Sequence, residues 1–96
     1  MVIMILKYVK PMEEVDKHLA PHRAFLDGCY KQKKLICSGR QKPPVGGVLV
    51  ANVESMDEAK AIAQEDPFAI NKVAVYEFIE FSPTKYDERF ACFLNQ

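Results

Sequence analysis

The 96 residues carry 13 basic and 13 acidic side chains, so the formal net charge is zero. A neutral chain has no long-range field steering it towards nucleic acid or an anionic membrane, and no apolar run is long enough to span a bilayer. With 49% apolar and 27% charged residues, the chain reads as one ordinary globular domain over 1–96, whose small core gains by association with a second copy.

Val2 to Val9 is a run of β-branched and large apolar residues broken only by Lys7, which predicts a strand covered on both faces. The same run lacks the basic leader and cleavage site of a signal peptide. Pro11 to His18 is polar, with room for a short helical turn at Glu13 to Asp16. Pro21 fits best as the first residue of a helix, so the first long helix is expected to start there. Along it His22, Phe25, Leu26, Cys29 and Lys33 fall at i, i+3, i+4, i+7 and i+11, and the histidine opens an otherwise apolar stripe turned to the sheet.

Leu35 to Ser38 and Gly46 to Val53 are apolar runs on either side of a Pro-rich loop, the pattern of an antiparallel hairpin. Ser55-Met56-Asp57-Glu58 has the spacing of a capping box. Ala59, Ile62 and Ala63 continue the helical period to Asp66, where Pro67 ends it. Val73 to Phe81 predicts the fourth strand. The tail, 84–96, carries Phe90, Phe93 and Leu94 at helical spacing and is expected to dock on the domain or on a dimer partner.

The order β-α-β-β-α-β is that of a split βαβ, or ferredoxin-like, α+β fold with an antiparallel sheet and both helices on one face. Because the first and third strands are apolar in both directions, the uncovered sheet face is expected to meet the same face of a second subunit, giving a homodimer.

The chain holds two imidazoles, His18 and His22, and His22 is the better candidate for proton transfer because it is expected within one turn of a helix N-terminus. Asp66 can orient it as the acid of a catalytic triad orients its histidine, if packing brings the two helices side by side. The plainer role for Asp66 is the N-cap of a short turn opened by Pro67, and for His22 a half-buried core histidine. Ser38 and Arg40 flank Gly39, where a hydroxyl and a guanidinium suit an oxygenated or anionic ligand, and equally an ordinary turn. A metal site of His18, His22 and Asp66 has suitable donors, but Pro21 is expected to spoil the i, i+4 alignment of the imidazoles. No cofactor is expected. Cys29, Cys37 and Cys92 are odd in number and lack metal-ligand spacing, which points to reduced thiols in a cytoplasmic protein.

The segment from Val15 to Leu26, with Cys37-Ser38-Gly39, Gly46-Gly47, Asp66-Pro67-Phe68, Glu77-Phe78-Ile79-Glu80-Phe81 and Pro83-Thr84-Lys85-Tyr86, resembles the YCII-related (YciI-like) family over essentially the whole chain. The resemblance implies a dimeric α+β barrel and a His/Asp active site, which fall here on His22 and Asp66, with Ser38 as the small polar residue before glycine. Arg40 and Gln41 depart from the Gly-Pro turn common in that family. Residues and resemblance together point to an acid-base enzyme of lyase or isomerase type, dehydrochlorinase-like or muconolactone isomerase-like. It would act on a small oxygenated molecule, with catalytic His22 and Asp66 and with Ser38, Arg40 and His18 binding ligand. The alternative is a non-catalytic dimeric module that binds a small ligand or a partner.

Overall fold

In a computed structural model, which describes residues 1–94, the elements follow the expected order. They are β1 (Val2–Tyr8), α1 (Met12–Asp16), α2 (Leu19–Lys31), β2 (Leu35–Arg40), β3 (Gly46–Ala51), α3 (Met56–Gln64), α4 (Pro67–Ile70) and β4 (Ala74–Glu80). A 3-10 helix, Glu88–Phe93, follows, and the last two positions of the tail lie outside the described residues. The strands form one antiparallel sheet in the order β2-β3-β1-β4, the ferredoxin-like arrangement, with the helices packed on one side.

Helix α2 starts two residues before the expected Pro21, with His18 as its N-cap. The proline is tolerated because it takes the third helical position, where the backbone N–H has no intrahelical partner to lose. The first bond of the helix, from His22 N to His18 O at 3.0 Å, follows immediately. Pro21 therefore lies inside α2, while His18 stands outside it as the cap, with non-helical backbone angles. Lys33, expected on the helical stripe, instead takes φ 60° beyond the helix end. The Lys34 N–H reaches back to Cys29 O at 3.0 Å, closing the turn as a left-handed cap. Helix α3 begins as its capping box predicts, with the Ser55 hydroxyl accepting from Glu58 N at 3.2 Å.

Strand β1 alternates more sharply than its composition suggests. Val2, Met4 and Leu6 are buried against the helices, whereas Ile3 and Ile5 are only half-buried on the opposite face. Two clusters fill the helix side. The larger joins Met4, Leu49, Ala51, Ala59 and Ile62, and the smaller joins Leu6, Val15, Phe68, Val73 and Ala74. On the other side the cross-strand rows Cys37-Val50-Ile3-Ile79 and Gly39-Val48-Ile5-Glu77 have no covering layer among the described residues, and Val75 and Ile79 are about half exposed. The 3-10 helix buries none of its own residues, though Phe93 stands beside Tyr30, Leu35 and Asn52.

Hairpin geometry sets two features of the cleft end. A Cβ at Gly46 would lie 1.7 Å from Leu6 O, so β3 approaches β1 there only because no side chain intervenes. In β2 the pairing slips by one residue between Leu35 and Cys37. This bulge interrupts the alternation, so Leu35 faces the helices with Ala51, and after it Ser38 and Arg40 do so with Leu49 and Gly47.

Candidate active site

Asp66 combines the two roles that the sequence left as alternatives. It is the N-cap of α4, with Pro67 in the first helical position, and its Oδ1 accepts from the Phe68 N–H at 2.9 Å. The same oxygen stands 2.7 Å from His22 Nδ1. Its other oxygen, Oδ2, accepts from the Tyr76 hydroxyl. The carboxylate is 0% exposed, so three protein donors replace the water it gave up. Burial, reinforced by the neighbouring Asp66 charge, pushes the Tyr76 phenol far above its ordinary value of 10.0, so it remains a donor.

His22 is 8% exposed, and its ring lies flat on that of Phe68, with centroids 3.9 Å apart and planes 8° from parallel. Stacking and the Nδ1 contact fix both the position of the ring and its rotation. An ionised Asp66 accepts only, so Nδ1 carries the proton and Nε2 is the basic nitrogen. Gln41 Oε1 is the buried side-chain atom without a partner among the described residues, so His22 Nε2, which makes no hydrogen bond there, is open to the cleft.

That cleft, of about 480 Å³, lies between α2 and the sheet. Leu19, Leu26, Leu49 and Phe68 give it apolar walls, and His22, Arg23, Ser38 and Arg40 give it polar ones. Its size and its mixture of walls suit a small organic molecule. The Ser38 hydroxyl is paired with Tyr30 OH at 2.6 Å, which fixes its place at the cleft wall. His18 lies elsewhere, and its part in this arrangement is the backbone carbonyl that begins the helix carrying His22.

Among the described residues no group of three or more His, Cys, Asp or Glu side chains is arranged to hold a metal ion. Cys29 is buried, and desolvation pushes its thiol up even though Lys34 pulls the other way, the environment of an inert thiol.

Sequence reasoning missed Tyr76, Phe68 and Arg23 as parts of the site. Tyr76 had left a signal, because a tyrosine on the core-facing row of a strand needs a partner for its hydroxyl. Phe68 lay inside the Asp-Pro-Phe segment, but nothing in its spacing announced a ring stacked on an imidazole from another helix.

The class is that of a ferredoxin-like α+β sheet covered by helices on one side, with a His22-Asp66-Tyr76 hydrogen-bonded chain beside a cleft. The chain belongs to the YCII-related domain family, whose profile matches residues 1–82 and leaves the tail, 84–96, outside. No curated protein matches it. A similar solved structure is that of 5-chloro-2-hydroxyhydroquinone dehydrochlorinase (TftG) from Burkholderia phenoliruptrix AC1100 in complex with 2,5-dihydroxybenzoquinone. It superposes with a TM-score of 0.70 at 20% identity, covering 85% of this chain and 94% of that one, a likeness of fold.

Proposed function

We propose that this protein is an acid-base enzyme of lyase or isomerase type acting on a small oxygenated molecule. The observation that carries the reading is the orientation of His22, with Nδ1 held by a fully buried carboxylate and Nε2 left to the cleft. A core histidine kept for stability alone needs neither an adjoining cleft nor a carboxylate fastened by two further donors. The structural neighbour is a dehydrochlorinase, an activity of the same broad class.

In the proposed reaction His22 Nε2 takes a proton from a carbon beside a carbonyl, and the C–H electron pair moves towards the carbonyl oxygen. Asp66 stabilises the imidazolium that forms, and Phe68 keeps the ring in place. Ser38 and Arg40 donate to the oxygen as its charge grows. For a lyase the electron pair then expels a leaving group such as chloride from the adjacent carbon. For an isomerase the imidazolium returns the proton to a different carbon.

The uncovered apolar sheet face supports a second part of the proposal, a homodimer in which two sheets meet across Ile3, Ile5, Val48, Val50 and Ile79. Chloride release and product formation, measured on a panel of chlorinated hydroxyquinols and muconolactones, test the reaction. His22→Gln is expected to lower kcat by about 10²-fold or more. Turnover that survives this substitution removes His22 from the reaction.

A further inference from the structure

The charges on the cleft walls narrow the molecules it admits. Arg23 follows His22 on α2, and Arg40 stands on the helix-facing row of β2, so the helix layer and the sheet each contribute one guanidinium. Neither forms an ion pair among the described residues. Among the described residues no Asp or Glu side chain lines the cleft, and both oxygens of nearby Asp66 are already engaged. A chain of zero net charge therefore concentrates two positive charges without ion-pair partners among the described residues beside its imidazole. Like charges in one cleft repel, and a bound anion relieves that repulsion while its desolvated oxygens meet donors on both sides. A planar guanidinium fork fits a carboxylate better than a single hydroxyl oxygen.

We propose that the ligand is a small carboxylic acid, bound as its anion by Arg23 and Arg40, and that these two arginines select against neutral analogues. The assignment rests on the acid-base reading of the same cleft, but its test reads binding alone. In the reaction, the carboxylate would be the handle that sets a neighbouring carbon against His22 Nε2, with Arg23 as a positioning residue and Arg40 shared between that carboxylate and the oxygen on which charge grows.

Two matched pairs of probes test it, salicylate with salicylamide and succinate with succinamide, titrated into the wild-type protein by calorimetry and by amide chemical-shift mapping. At least one carboxylate is expected to bind about tenfold or more tightly than its amide and to weaken as ionic strength rises. Arg23→Gln and Arg40→Gln should each erase most of that preference, with the affinity of the acid falling towards that of its amide. Both side chains are exposed, so the variants are expected to fold, and far-UV circular dichroism checks this. Equal binding of acid and amide in both pairs overturns the proposal, as does saturable binding of neither, or selectivity that survives both substitutions. Selectivity that persists in His22→Gln supports it whether or not turnover survives there, so failure of the acid-base reading is visible separately.

Discussion

Replacing Tyr76 with phenylalanine removes one oxygen atom from the interior and keeps the ring that packs beside Phe78. What it takes from the fold is one of the three donors to a carboxylate that water does not reach. A hydrogen bond to a charged acceptor contributes about 1.5–3 kcal/mol, and here no solvent can replace the lost partner. In a domain of this size 1 kcal/mol moves the melting temperature by about 4–8 °C, so Tyr76→Phe should lower it by roughly 10 °C. Thermal melts followed by circular dichroism at matched protein concentration measure this, since self-association would make the midpoint concentration-dependent. The decisive comparison is a double-mutant cycle with Asp66→Asn. Once the acceptor is neutral, the cost of losing the hydroxyl should fall below about 1 kcal/mol. A penalty that is the same in both backgrounds would refute the claim that Tyr76 acts through the Asp66 charge.

Three other outcomes follow from the geometry. The Tyr76 phenol has a raised pKa in the folded state, so its contribution is whole below the unfolded value of 10.0 and declines as pH climbs above it. Urea midpoints of wild type should therefore fall more steeply above that pH than those of Tyr76→Phe. Gly46→Ala would place a methyl within 1.7 Å of the Leu6 carbonyl oxygen, and a loss of more than about 3 kcal/mol or a failure to fold is expected in chemical denaturation. On the open sheet face, Ile3→Glu sets a charge between Val50 and Ile79 and should convert a dimer to monomer in light scattering coupled to gel filtration, with little change in circular dichroism.

The arrangement of strands and helices was legible in the sequence because alternation, capping and proline placement all pointed the same way. The start of α2 was misjudged by two residues because Pro21 suits the first helical position but is equally harmless in the third. The candidate pair His22 and Asp66 was legible as two residues, while their contact depended on how α2 and α4 pack, which spacing alone does not encode. Both roles weighed for Asp66 hold in part. It caps a turn, and the same oxygen that caps also meets the histidine. The facing of Ser38 and Arg40 was hidden for a different reason. Strict period-two alternation from Leu35 would have turned both away from the helices, and a one-residue slip in pairing leaves no mark in hydrophobic pattern.

That slip makes the cleft depend on a backbone irregularity as well as on residue identity. Deleting Ile36 would restore regular pairing with Ser38 still opposite Leu49 and Arg40 opposite Gly47, but straightening the bulge at unchanged chain length would carry the hydroxyl and guanidinium to the far side, putting Cys37 and Gly39 in their places. The wall opposite His22 would become small and uncharged in a single step, while α2, α4 and the His-Asp-Tyr chain stayed where they are. A change that straightens β2 is thus a route by which the ligand preference of this cleft can be exchanged without altering His22, Asp66 or Tyr76.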